Sequence, residues 1–358
     1  MTFGIQGLGT ATPPHVATQV HLAEMSTEVI CQEDRQERLM SMLFKKSGIE
    51  TRQSVLDPDF AYAWKADAAD LAGRGPSTGE RMRLYAKFAG PLATTASSRA
   101  LADAVVNPSE ITHLVTVSCT GFSSPGVDSE LMTSLGLRST VERVHVGYMG
   151  CHGAINGLRV ARGLAASDPN ARILLCAVEL CSLHFRMDWD DEGIKGNALF
   201  SDGAAAVVCG NEHPEKSHLW TVSATGSWRI PNSGDEMSWT VGDYGFDMRL
   251  TSRVPPLIEQ HLAPWLTEWL ASLGQTIESI KGWVVHPGGP RILDAVETAL
   301  SLPPNTCDIS RTVLRELGNM SSPTILFVLD RMRTEHPSGP HLLLAFGPGL
   351  TTEAALLH

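Results

Sequence analysis

A chain of 358 residues with 43% hydrophobic side chains can bury a large core and has room for two domains or two fused halves, which excludes a disordered protein. Its formal net charge of −11, without a Lys/Arg-rich run, excludes a nucleic-acid or anionic-membrane partner held by a basic face. Seven cysteines without a CxxC pair and thirteen histidines without an HExxH fit neither a disulfide scaffold nor a zinc site, so reduced thiols and no metal are expected.

No run of eighteen apolar residues exists, and MTFGIQGLGTATPP has neither a charged n-region nor an apolar h-region, so a cytoplasmic protein without a membrane span is expected. The segment IQGLGTATP reads as a strand leaving into a turn at Pro13 and Pro14. Residues 18–44 read as helical, with Lys45, Lys46 and Arg52 just beyond. Such cations suit a solvated helix end, the commoner case, or an anionic ligand. Residues 78–106 are again helical. A strand at His113 to Ser118 ends in CTGFSSPG, small and turn residues suited to a cavity-lining loop that begins with Cys119 and Thr120.

In VHVGYMGCHGAINGL, residues 144–158, an alternating apolar run ends in glycine, a cysteine follows, and small residues open a helix. Cys151 therefore stands at a strand-to-helix turn, where unpaired N–H groups and the helix dipole favour a thiolate. A cysteine among small residues is more often an inert core side chain, so the other residues must decide. Ile173 to Val178, apolar throughout, reads as a strand covered on both faces that delivers Glu179 and Cys181 to its end. ALFSDGAAAVVCG reads as a turn at Ser201 to Gly203 and a buried strand. The polar stretch 211–216 marks a boundary between halves 1–213 and 214–358.

The second half offers Trp283 to Val285 as a strand, His286 at its end, the turn PGGP, and a helix with Ile292, Val296 and Leu300 in register. Its likeness to the Cys151 unit suggests an internal duplication. Asn319 precedes Ser322, a candidate N-cap, and Pro323, a candidate first helical residue, before five successive apolar residues. A strand at Leu342 to Phe346, the turn GPGL and a last run TEAALL close the chain.

Cysteine, histidine and asparagine at such positions form a chemical kit. Cys151 can carry an acyl group as a thioester, His286 can keep the thiolate ionised and steady an oxyanion, and Asn319 is a neutral donor. Together they can polarise a malonyl thioester so that it loses carbon dioxide and leaves an enolate to attack the acyl-cysteine. A papain-like protease uses the same residue types, but its CGSCW surroundings are absent.

Eight segments, in order over nearly the whole chain, resemble the type III polyketide synthases, the chalcone-synthase-like enzymes: ATPPH, KSGIETR, THLVTVSCTGFSSPG, GYMGCHGAINGLRVA, NALFSDGAAA, HPGGPRILDAVE, LGNMSSPTILFVLD and AFGPGLTTE. VELCSLHF and MSWTVGDYGF look bacterial. The resemblance implies a thiolase-like αβαβα five-layered α/β fold with two duplicated half-domains, a homodimer, and Cys151, His286 and Asn319 as the catalytic residues. It implies an acyl-coenzyme A starter extended by malonyl-coenzyme A and cyclised to a pyrone or phenolic ring, with no bound cofactor or metal. Phe200 falls on the residue that guards the meeting of coenzyme A tunnel and cavity, and the second gatekeeper falls on Met248 or, with a small shift, on Phe246.

The plant enzymes' cavity threonines fall on Cys119, Cys181 and His184, so plant-type starter contacts are not reproduced. Thr120, Glu179 and Ser321 complete the expected substrate-binding set. Among coenzyme A contacts Lys46 is kept, two others fall on Leu39 and Met42, and Arg291 at a helix start stands as a replacement. A flexible Met248 points to a medium- or long-chain fatty acyl starter and an alkylpyrone or alkylresorcinol product, against which the bulk of Trp239 weighs. Two rival readings are a ketoacyl synthase III, which condenses once, and a catalytically dead scaffold. HPGGP, GNMSS and FGPGL argue against the first, and the complete catalytic set against the second.

Overall fold

The computed structural model describes residues 2–67, 73–211, 218–335 and 339–358. In chain order, β1 (Phe3–Ala11) is followed by β2 (His15–Thr18), α1 (Gln19–Ile30), α2 (Asp34–Lys46), β3 (Thr51–Ser54), α3 (Phe60–Asp67) and α4 (Thr78–Asp103). Then come β4 (His113–Ser118), α5 (Val127–Leu135), β5 (Glu142–Gly147), α6 (Gly153–Ser167), β6 (Arg172–Leu180), α7 (Ile194–Asn197) and β7 (Asp202–Asn211). The second half holds β8 (Trp220–Arg229), β9 (Met237–Gly242), β10 (Gly245–Leu250), α8 (Val254–Ser272), β11 (Gly282–Val285), α9 (Pro290–Ala299), α10 (Asp308–Leu317), α11 (Thr324–Glu335), β12 (His341–Gly347) and β13 (Thr351–Leu357).

Side chains of a strand alternate faces, so a strand apolar at every position must be covered twice. On β6, Ile173, Leu175 and Ala177 enter one core while Leu174, Cys176 and Val178 enter another. On β12, Leu343 and Ala345 join that first core, whereas Leu342, Leu344 and Phe346 face a third, with α8 and α9. The first core also contains Ile155 and Leu158 of α6 and Ile325 to Leu329 of α11, and the second contains Ala89 to Ala100 of α4. The layers are therefore α4, a half-sheet, α6 with α11, a second half-sheet, and α8 with α9, the expected five-layered order.

Strand order repeats as well. The sheet runs β11-β12-β13-β8-β1-β7-β6-β4-β5, joined at its middle where Gly4 and Ile5 pair with Thr221 and Trp220. Outward from the join, β1-β7-β6-β4 and β8-β13-β12-β11 make the same two antiparallel pairs and then one parallel pair. This repeat corrects one expectation. The counterpart of the Cys151 helix is α11, which follows Asn319 in the same layer, and not α9, whose Ile292, Leu293 and Val296 lie in the outer core. His286 at the end of β11 thus matches Cys119 at the end of β4. The boundary expected near 213 falls on residues 212–217, outside the described residues.

Three further readings change. The stretch 18–44 is two helices, because Leu22, Met25 and Ile30 of α1 and Met40 and Phe44 of α2 must enter one cluster, and the chain turns back at Cys31 and Glu33 in extended backbone. Helix α11 opens at Thr324, and the Ser322 hydroxyl donates to Glu179 (2.5 Å) instead of capping it. Arg52 does not belong to the solvated cations. It is 6% exposed, lies over the Phe44 ring and donates to the Phe200 carbonyl (2.8 Å), whereas Lys45 and Lys46 are exposed.

Strand β1 and helix α4 approach so closely that a methyl on Gly9 would sit 2.4 Å from the Ala100 nitrogen and 2.5 Å from the Ala96 oxygen. Backbone atoms cannot turn aside as a side chain can. Gly9→Ala should therefore destabilise the protein by about 1–3 kcal/mol, read as a lower denaturation midpoint. An unchanged midpoint would contradict this contact.

Candidate active site

Three segments bring the chemistry together. Between β5 and α6 the chain makes a tight turn through Tyr148 (φ 65°) and Gly150 (φ 67°), and residues 150–152 form a 3-10 turn that runs into α6. A side chain at Gly150 would collide with Pro348 at 2.5 Å, so the turn that carries Cys151 is wedged against the GPGL turn of the other half. His286 continues β11, its N–H donating to the Leu344 carbonyl (2.8 Å). Asn319 forms a bridge with Phe200, donating its N–H to the Leu199 carbonyl (3.0 Å) and accepting the Ser201 N–H (2.9 Å).

The Asn319 amide is oriented. Its Oδ1 accepts the Ser321 N–H (2.8 Å), and its Nδ2 reaches the Gly288 carbonyl at 3.4 Å and the Cys151 sulfur, so the amide presents its donor side to the nucleophile. Ser321 (φ 58°) lies between two sulfurs, with its hydroxyl 3.7 Å from Cys119 Sγ and in hydrogen-bond contact with Cys151. Cys151, His286 and Asn319 open into one cavity of about 500 Å³, walled by both halves of the chain. Phe200, Met248, Phe246, Trp239, Cys119, Thr120, Cys181, His184 and Ser321 share its wall.

Several expected contacts are already engaged. Glu179 is fully buried and does not reach the cavity. It accepts the Cys119 and Thr120 N–H groups (both 3.0 Å) and the hydroxyls of Thr120 (2.7 Å) and Ser322 (2.5 Å), which makes it a brace for the loop and not a substrate ligand. Lys46 and Arg291 are exposed and lie outside the wall, where Arg52, Arg74 and Arg186 are its cations. No sequence signal marked Arg74 and Arg186, since their place depends on loops that meet only in the fold. Met248 Cε and the Phe200 ring both lie against Gly196 at the cavity wall, 3.2 and 3.5 Å from where its side chain would begin.

The electrostatics differ from the expectation of a stabilised thiolate. Cys151 is reachable from the cavity yet surrounded by protein. Burial pushes its thiol up to about 11, against the hydrogen bonds from Ser321 and Asn319 that favour the anion. Burial likewise pushes the His286 imidazole down to about 3, with His152 adding to it. Both shifts favour the neutral forms, a thiol at Cys151 and an unprotonated imidazole at His286. Cys119 and Cys181 are also held well above the usual thiol value, first by burial and then by the Glu179 charge. Among the described residues, no group of three or more His, Cys, Asp or Glu is arranged to hold a metal.

Iodoacetamide should therefore label Cys151 in the wild type and in Cys119→Ala and Cys181→Ala, but not in Cys151→Ala. Because a raised thiol pKa leaves the reactive thiolate scarce until pH approaches it, the labelling rate should climb by about tenfold per pH unit between about pH 7 and 9. A rate already level at pH 7 would show that the thiolate preexists.

Known proteins resemble this chain over its whole length. The family described as chalcone and stilbene synthases, N-terminal domain, matches residues 3–213, and the C-terminal domain of the same family matches residues 222–358. The alpha-pyrone synthesis polyketide synthase-like Pks18 of Mycobacterium tuberculosis is 34% identical, over 98% of this chain and 90% of its own. The 1,3,6,8-tetrahydroxynaphthalene synthase of Streptomyces peucetius subsp. caesius is 33% identical, over 99% of this chain and 92% of its own. Among solved structures, the C-terminal type III polyketide synthase domain of Steely1 from Dictyostelium superposes with a TM-score of 0.91 at 28% identity, covering 100% of this chain and 99% of that one. PKS-I of the brown alga Ectocarpus siliculosus gives 0.91 at 28% identity, covering 100% and 98%. With both family domains matched in order, the chain belongs to the chalcone and stilbene synthase family and is a type III polyketide synthase, an acyltransferase that condenses and cyclises acyl chains instead of stopping after one condensation.

Proposed function

We propose that this synthase loads a medium- or long-chain fatty acyl group from coenzyme A onto Cys151, extends it with malonyl-coenzyme A, and releases an alkylpyrone or alkylresorcinol. The observation that carries the reading is the convergence of Cys151, His286 and an oriented Asn319 amide on one cavity. In loading, His286 accepts the thiol proton, the sulfur bonds to the acyl carbon, and the coenzyme A thiolate leaves with that proton. In extension, the bond to the malonyl carboxylate breaks, carbon dioxide departs, and its electron pair enters the thioester enolate. That oxyanion is met by the Asn319 amide and by His286. The enolate carbon then attacks the acyl-cysteine, and the Cys151 sulfur leaves as the thiolate, which can take the lengthened chain back from coenzyme A for the next extension.

The starter choice is supported by what the wall lacks. Thr120 donates to Glu179, Ser182 to Asp202 (2.6 Å), and both ring nitrogens of His184 have protein partners, so these side chains offer a starter little polar recognition. Phe246 is packed on both faces by other rings, whereas Met248 is unbranched and lies beside Phe200, so Met248 is the adaptable gatekeeper. Coenzyme A phosphates are assigned to Lys46 and Arg291, outside the cavity wall.

A homodimer is supported by the edge strand β5 and its surroundings, where Phe122, Val144, Tyr148 and Met149 are exposed together. Seven unpaired cysteines and coenzyme A substrates suit the cytoplasm, and no described helix is long and apolar enough to cross a membrane. The family matches leave residues 214–221 between them, which supports halves 1–213 and 214–358.

Two experiments test the chemistry and the starter. Asn319→Ala should still acylate Cys151 but release carbon dioxide from malonyl-coenzyme A at least about a hundredfold more slowly, the scale of a lost oxyanion donor. Carbon dioxide release at the wild-type rate would end that division of roles. For the starter, kcat/KM should rise from acetyl- through hexanoyl- to lauroyl-coenzyme A, by up to about fourfold per methylene buried. A preference for acetyl- or coumaroyl-coenzyme A over both aliphatic chains would refute the assignment, and Met248→Trp should move the optimum to shorter chains.

A further inference from the structure

One histidine of the cavity wall has no part in the chemistry and no free nitrogen. His184 Nε2 lies 2.6 Å from the Thr120 carbonyl, and the Phe246 N–H donates to Nδ1 at 3.1 Å. A carbonyl can only accept and a backbone N–H can only donate, so the pair admits one tautomer, with the proton on Nε2. Protonating Nδ1 would set two N–H groups against each other. Burial, against the hydrogen bond to the Thr120 carbonyl and with the Arg81 cation adding to it, pushes the ring down to about 3. Arg81 is itself fully buried and donates to the carbonyls of Leu183 (2.6 Å) and Phe185 (3.0 Å), on either side of His184.

The same ring stacks on Phe246, with centroids 4.0 Å apart and planes 15° apart, and the other face of Phe246 meets Trp239 at 4.8 Å and 12°. Trp239 leans in turn on Tyr148 at 5.7 Å. Phe246 and Trp239 belong to the β9–β10 hairpin, whose turn is tied to the start of α4 by Thr78, which accepts the Gly245 N–H (2.8 Å) and donates to the Gly242 carbonyl. Beyond that turn, the His184 bond to Phe246 fixes the hairpin's cavity face to the Cys119–Thr120 loop. His184, Phe246 and Trp239 all line the acyl cavity.

We propose that His184 is a positioning residue for starter selection: a neutral bracket, fixed in one tautomer, that holds Phe246 and Trp239 as a rigid wall of the acyl cavity and makes no hydrogen bond to the substrate. The inference rests on reading this cavity as the acyl site. It differs from that reading in placing the control of chain length behind the wall, on a side chain the starter does not bond.

Three variants and one spectroscopic measurement test it. His184→Gln keeps a donor and an acceptor without the ring, His184→Phe keeps the ring without the hydrogen bonds, and His184→Leu keeps neither. All three should label at Cys151 with iodoacetamide at the wild-type rate, which establishes a folded site. The ratio of kcat/KM for lauroyl- over hexanoyl-coenzyme A should stay within about twofold of wild type in His184→Gln and shift by about fivefold or more in His184→Phe and His184→Leu, the scale of one lost hydrogen bond. An unchanged ratio in His184→Leu would overturn the proposal, and so would a shift in His184→Gln as large as in His184→Leu, which would mean that the starter touches the ring. In the free enzyme labelled with nitrogen-15 histidine, the signal missing from His184→Gln should report the Nε2–H tautomer unchanged from about pH 5.5 to 9. A titration of that signal in this range would refute the bracket even if the wild type accepted neither aliphatic starter, an outcome that would by itself refute only the proposed function.

Discussion

The molecule depends on one close contact at its centre. Helices α6 and α11 begin side by side in the middle layer, and a side chain at Gly153 would start 2.8 Å from Val117 and 3.3 Å from the Ser322 Cβ. Because both helix starts face the cavity, the residues just before them are brought together without any long arm: Cys151 before α6, Asn319 before α11. The same packing places a buried carboxylate between the halves. Glu179, at the end of β6, takes the Ser322 hydroxyl from the second half and the Cys119 and Thr120 N–H groups from the first, so one side chain ties the cavity loop to the turn that carries Asn319. A buried carboxylate is costly unless its oxygens are filled, and here they are.

Burial also sets the reactivity. Three thiols share the cavity wall, and each is raised by the surrounding protein, yet only Cys151 has both an amide and a hydroxyl donor at its sulfur. Cys119 has the Ser321 hydroxyl alone and lies against Glu179. Of the three sulfurs, Cys151 is therefore the one best placed to carry the developing charge that the proposed loading step requires. His286 follows the same logic, since burial keeps its imidazole neutral, the form that the proposed loading step needs to accept a proton.

An acidic protein of a family that uses anionic coenzyme A thioesters as substrates must concentrate its cations. The arginines of the wall are held by neighbours: Arg186 by Asp188 (2.9 Å) and Asp247 (2.7 Å), Arg52 by the Phe200 carbonyl. The latter bond reaches the strand bridge between Phe200 and Asn319, and Gly318 leaves room for it, since a side chain there would meet Arg52 Cγ at 2.9 Å. The cation that reads as a surface residue in KSGIETR is therefore a support behind the gatekeeper.

The sequence alone determined the local units and the chemistry they carry. A strand apolar at every position, such as 173–178, must be covered on both faces, and the glycines around Cys151 mark a tight turn at Gly150 and a helix that packs closely at Gly153 and Gly157. The eight ordered segments then settled the family, because turn and site residues are short-range requirements that survive when the rest of the chain drifts. What depends on distant contacts was decided by the tertiary structure. Whether helix 18–44 is one piece or two depends on a cluster that includes residues near 185, and whether Ser322 caps a helix or serves a carboxylate depends on Glu179, 143 positions away. The match of α11, and not α9, with the Cys151 helix lies in the layer order and leaves no periodicity to read. The pKa of Cys151 is pushed the other way from the local argument, because the helix start that favours an anion is visible in sequence, while the burial that opposes it is a property of the whole fold.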